Sequence, residues 1–127
     1  MQLITLRNYL PVYPPNTPPE APSGLQATPQ GNSVTLQWEA AQDAQTPAPG
    51  LSYNLRVGTM PGGVNVVSPM SLPETGRRML VGHGNAGPNL QWSIKDLSPG
   101  TYYWSVQAID TSYKGSPFAE EGTFVIQ

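Results

Sequence analysis

Fifteen prolines and thirteen glycines interrupt this 127-residue chain about every four to five positions. Proline removes a backbone donor and clashes with the preceding helical turn, and glycine raises the entropic cost of a helix, so long helices have no room here. Only short extended segments fit between the breaks. The length is that of one domain with a tail.

Six basic against eight acidic side chains give a formal net charge of -2. There is no basic stripe to neutralise phosphates and no polybasic segment for anionic lipid, so no nucleic acid partner is expected. No apolar run reaches the ~18 residues of a spanning helix, so membrane insertion is not expected either. Residues 1–10 lack the basic start and apolar centre of a signal peptide, so export would require a leader outside this sequence. The absence of cysteine removes disulfides, thiol nucleophiles and thiolate metal sites together. The single histidine, His83, lies in Gly82-His83-Gly84-Asn85 with no further ligands at metal-site spacing. Gly82, Gly84 and Gly87 lack the Lys-Ser/Thr ending of a phosphate loop. The reading is of no catalytic residue, no metal and no cofactor.

Where the breaks allow, apolar residues recur with period two, which turns one face of each segment to a core and the other to water. Leu25 and Ala27 mark a first strand, Val34, Leu36 and Trp38 a second, and Leu51, Tyr53, Leu55 and Val57 a third. Leu90, Trp92 and Ile94 follow, then Tyr102, Trp104, Val106 and Ala108, then Phe124 and Ile126. The phase assigns Trp38, Tyr53, Trp92, Tyr102 and Trp104 to the core. Residues 60–89 are less regular and read as an elaborated connection, with 64–67 and 77–81 as short strands. The fold class is all-β: two antiparallel sheets packed face to face as a β-sandwich.

Three units are expected along the chain. Residues 1–10, with Leu3-Ile4-Thr5-Leu6-Arg7, form the tail strand of a preceding domain; 11–21 form an extended, weakly packing proline-rich linker; and 22–127 form the sandwich. The protein is expected to be a monomer, with the apolar N-terminal strand available to pair with a sheet edge of its own or another copy.

The residues with binding character lie in loops. Tyr113 in 110–117 is an aromatic anchor beside Lys114 and the hydroxyl of Ser116, suited to a protein or sugar surface, and His83 and Asn85 extend the candidate contact surface. Arg77-Arg78 reads as a solvated strand edge. Asp110 and Glu121 are the carboxylates a small hydrolase would use, a less favoured alternative because the apolar residues needed to wall a cleft belong to the core.

Three segments resemble the fibronectin type III domain, over 22–127. Ser33-Val34-Thr35-Leu36-Gln37-Trp38-Glu39 is similar to its second strand and Leu51-Ser52-Tyr53-Asn54-Leu55-Arg56-Val57 to its third; 97–108, beginning Leu97-Ser98-Pro99-Gly100-Thr101-Tyr102, is similar to its corner and sixth strand. The resemblance implies an immunoglobulin-like sandwich whose corner tyrosine bonds back to the preceding turn. The family's usual spacing selects Tyr103 for that role; the phase of Trp104, Val106 and Ala108 selects Tyr102, at the cost of a turn one residue shorter. Gly50-Leu51-Ser52-Tyr53-Asn54-Leu55-Arg56-Val57-Gly58-Thr59, Gly62-Gly63 and Val67-Ser68-Pro69-Met70 resemble a bacterial subgroup found in exported proteins with FG-GAP or VCBS repeats, in which an Arg-Asn strand end such as Leu6-Arg7-Asn8 precedes a proline-rich joint. That resemblance implies an extracellular or cell-surface, non-catalytic spacer or interaction module, whose partners are neighbouring domains of the same chain and protein or polysaccharide ligands. The alternative is an adhesin or carbohydrate-binding accessory module.

Overall fold

A computed structural model describes residues 17–71, 75–79 and 82–127. The expected tail strand at 1–10, residues 11–16 of the linker, and Leu80 and Val81 of the expected strand at 77–81 lie outside the described residues.

Among the described residues, six strands form two antiparallel sheets. β1 (Ser23–Gln30), β2 (Ser33–Glu39) and β4 (Gln91–Ile94) make one, in the order β1-β2-β4. β3 (Ser52–Gly58), β5 (Gly100–Ile109) and β6 (Gly122–Ile126) make the other, in the order β3-β5-β6. The described residues contain one 3-10 turn, at Ala48–Gly50, and no helix long and apolar enough to cross a membrane. Gln30 pairs with Ser33, so Gly31-Asn32 is the whole β1–β2 connection. Gly31 supplies the positive φ, 62°, that such a tight hairpin requires.

The period-two pattern becomes the core between the sheets. Val34, Leu36 and Trp38 from β2 meet Tyr53, Leu55 and Val57 from β3, Tyr102, Trp104, Val106 and Ala108 from β5, and Phe124 and Ile126 from β6. The Trp38 ring lies 5.9 Å from Tyr53 and 6.4 Å from Trp104, tilted against both, a favourable arrangement for aromatic quadrupoles. Tyr53 Oη accepts a hydrogen bond from Ala41 N at 3.0 Å, so its polar end is satisfied within the core. At the corner, Tyr102 Oη donates to Ser98 O at 2.6 Å while the ring stacks on Phe124. Tyr103, one position on, is half-buried on the opposite face.

Trp92 departs from the sequence expectation. It is 40% exposed, and Leu90 just before β4 is exposed too. β4 is four residues long and, among the described residues, is an edge strand paired with β2 alone. Trp92 sits opposite buried Leu36 in the β2–β4 register, but an edge strand buries only what its single neighbour and the facing sheet can cover.

A second departure concerns the other face of β3. All seven of its residues are buried, including Ser52, Asn54 and Arg56, whose phase points away from the core. Pro69, Ser71 and Gly76 of the connection and the segment 116–121 cover that face. Asn54 Nδ2 donates to Gln107 Oε1 and to Pro69 O, each at 2.7 Å, and Gln107 Nε2 donates to Gly76 O and Ser116 O, each at 2.8 Å. Arg56 Nη1 pairs with Glu121 Oε2 at 2.8 Å, and its guanidinium lies over the Phe118 ring. Within the expected strand at 64–67 and the described part, 77–79, of the one at 77–81, the pairing consists of single bridges instead, Val57 with Val67 and Ser71 with Arg78.

The described end of the linker also packs. Pro19 and Pro22 are buried, Glu20 N donates to Gln42 O at 2.8 Å, and Thr17 bonds the Gln45 side chain. Residues 17–20 therefore run along the 42–45 loop rather than standing away from the domain.

Candidate functional site

Past Ile109, β5 ends in a turn built around Asp110. Its Oδ1 accepts from Ser112 N and from Lys114 N, both at 2.9 Å, while its backbone oxygen accepts from Tyr113 N. An aspartate that bonds backbone just ahead of it is a turn-former in its own right. The turn places Tyr113 at φ 65°, a left-handed conformation that is uncommon for a bulky side chain. The neighbouring loop bonds the same turn through Thr46 Oγ1, which lies 3.1 Å from Thr111 Oγ1.

Opposite stands the 82–85 loop. His83 meets the Tyr113 ring edge-on at 5.4 Å between centroids, so two residues thirty positions apart in sequence share one surface. On the other side, Pro18, Thr75, Arg77, Arg78 and Met79 complete an open groove of about 550 Å³ with Ser112, Tyr113, Lys114 and Gly115. Arg78 Nη1 donates to Pro69 O at 2.7 Å and Ser71 Oγ at 2.9 Å, which fixes the guanidinium at the groove wall. Partial burial there lowers its pKa below the ordinary arginine value. The Arg77 side chain is exposed and makes no ion pair among the described residues.

Of the residues singled out from the sequence, Tyr113, Lys114 and His83 come together here. Ser116 and Asn85 do not serve that surface. Ser116 is fully buried, its Oγ accepting from Ala108 N and donating to Pro117 O, because the chain after the loop folds back onto β5. Asn85 faces β3: its Oδ1 accepts from Leu55 N at 2.7 Å and its Nδ2 donates to Leu55 O at 2.8 Å. Gly84 beside it lies so close to the strand that a Cβ would run into Tyr53 O. Arg77 and Arg78, read from sequence as a solvated edge, belong to the groove. The available signal was their adjacency in a chain with only six cations, but nothing local says which loop they will face.

The two carboxylates of the hydrolase alternative are held apart in separate structural roles: Asp110 in the turn, Glu121 bonding both Arg56 and Gly62 N. No group of three metal-ligating side chains occurs among the described residues.

No protein-family model and no curated protein matches the chain. Solved structures do. The fibronectin type III domain of human fibronectin type III domain containing protein 3 superposes with a TM-score of 0.55 at 20% identity, over 87% of each chain. The Clostridium perfringens spore cortex lytic enzyme SleM superposes at 0.51 and 18% identity, covering 87% of this chain and 28% of that one. With its two three-stranded antiparallel sheets and its tyrosine corner, the chain has the fold of a fibronectin type III domain, an immunoglobulin-like β-sandwich.

Proposed function

We propose that this chain is a non-catalytic structural and interaction module in the extracellular part of a larger, exported bacterial protein. The observation that carries this reading is that the polar side chains nearest to catalytic candidates are bonded by the fold itself. Asn54, Gln107, Arg56, Glu121 and Asp110 each bond a neighbouring segment or turn. A catalytic acid and base need freedom to reach a substrate, and these carboxylates are held by strands and turns. The match to 28% of the SleM chain supports the modular part of the proposal, because there the same fold is one portion of a longer bacterial protein.

In this reading the sandwich separates neighbouring domains of its own chain. Residues 17–20, packed along the 42–45 loop, hold the described end of the proline-rich stretch against the sandwich. A second reading, an adhesin or carbohydrate-binding accessory module, is favoured by the groove between 75–79 and 110–117. Antibodies raised against the purified chain test the main proposal when applied to intact and lysed cells of the source organism. Labelling of intact cells is expected; labelling only after lysis overturns the extracellular assignment. Turnover of any substrate in a glycoside and peptide hydrolase panel overturns the non-catalytic one.

A further inference from the structure

The groove gathers positive charge in a chain that is acidic overall. Three of its six cationic side chains, Arg77, Arg78 and Lys114, line one concavity, and the single histidine lies against the tyrosine that borders it. Arg78 is fixed in place by its Nη1 bonds to Pro69 O and Ser71 Oγ. Arg77 stands exposed at the mouth. The exposed Arg77 guanidinium presents two parallel donors matched to the two oxygens of a carboxylate, and Arg78, whose Nη1 is engaged and whose Nε is buried, adds its positive charge beside it. The Tyr113 ring is set by its backbone conformation and by the His83 edge contact, and it remains partly exposed, a flat face against which an apolar ring surface can lie. The hydroxyls of Thr75 and Ser112 add directional hydrogen bonding along the same walls.

We propose that this groove binds an acidic oligosaccharide, a glycan carrying uronic acid carboxylates, with a sugar ring on Tyr113 and a carboxylate on Arg77 and Arg78. The proposal deepens the interaction side of the function proposed above and rests on it. A peptide is disfavoured by the way the groove is built. Extended peptides bind most readily by adding to a strand edge, and the walls here are loops; on the nearby edge of β3 the 66–67 and 84–87 segments already occupy that position. Its volume of about 550 Å³ lies in the ordinary range for small-ligand sites, and among the described residues it is open on one side.

Calorimetric titration of the full chain with tetragalacturonate, maltotetraose and a hexaglutamate peptide tests it. Tetragalacturonate is expected to bind at least about tenfold more tightly than either control, because only it offers carboxylate and ring together. The affinity should fall as salt rises from about 0.05 to 0.2 M, where screening of exposed charges becomes strong. Arg77→Ala should weaken binding by about tenfold with an unchanged melting temperature, since Arg77 is exposed. Lys95→Ala, away from the groove, should leave it unaltered. No binding of tetragalacturonate overturns the proposal. Equal binding of maltotetraose removes the role of the cations, and equal binding of hexaglutamate removes the sugar and makes the site one for acidic peptides. Any of these results leaves the surface labelling of intact cells untouched, so failure of the ligand assignment and failure of the module reading are separable.

Discussion

The side chain of Asn85 pairs with both peptide groups of Leu55, its Oδ1 accepting from Leu55 N and its Nδ2 donating to Leu55 O at 2.7 and 2.8 Å. It takes the place of a neighbouring strand along the edge of β3 that β5 does not cover, with Gly87 and Val67 bonding the backbone of Tyr53 and Val57 on either side. An open strand edge invites pairing with another chain, and this one is closed from within. Asn85→Ala should therefore lower stability by about 1–3 kcal/mol, the cost of leaving buried backbone groups unpaired. Chemical denaturation checks the loss. Unchanged stability would show that water replaces the amide at no cost.

Burial separates two tryptophans that sequence alternation treats alike. Trp38→Ala removes the ring between Tyr53 and Trp104 and should cost about 3–5 kcal/mol. Trp92→Ala, on the open edge of β4, should cost about 1 kcal/mol or less. Thermal melts of the two variants side by side give the ranking, and equal losses would mean that the β4 edge is covered in solution.

The corner is tested by two phenylalanines. Tyr102→Phe deletes the donor to Ser98 O and should cost about 1 kcal/mol, while Tyr103→Phe should change little. The reverse order in urea denaturation would place the corner at Tyr103.

Glu121 is an acid with a structural partner. Arg56 is buried on the outer face of β3, so Glu121→Gln leaves a cation without its counter-charge and should lower stability by about 1.5–3 kcal/mol, a typical worth for hydrogen bonds to charged groups. Denaturation in low and high salt adds a check: a partly buried pair is screened weakly, so the loss should persist at high salt. A loss that vanishes in salt would mark the pair as a surface contact.

Much of the fold was legible because it rests on local rules. The punctuation by proline and glycine excluded long helices, the period of two located the strands, and the phase of Trp104, Val106 and Ala108 chose Tyr102 over Tyr103 one position away. Of the candidate site, the loop residues Tyr113, Lys114 and His83 could be picked out by type and position. Their meeting with Arg77 and Arg78 could not, since those arginines reach the groove only through the path of an irregular connection. Ser116 and Asn85 misled for a related reason: a small polar residue in a loop looks the same in sequence whether it faces solvent or a backbone.

Alternation along a strand states that it has two faces and which of them is apolar, and this alone determined the strands of the sandwich and nearly all of its core. It carries no information on what lies beyond the polar face or beside the last strand. Tertiary structure decided both: Pro69, Ser71, Gly76 and the segment 116–121 cover the outer face of β3 and turn Asn54, Arg56 and Gln107 into a buried polar layer, while among the described residues β4 pairs with β2 alone and Trp92 is left exposed. The physical reason is that burial belongs to the neighbours a residue acquires across long stretches of chain, whereas periodicity records only its own direction.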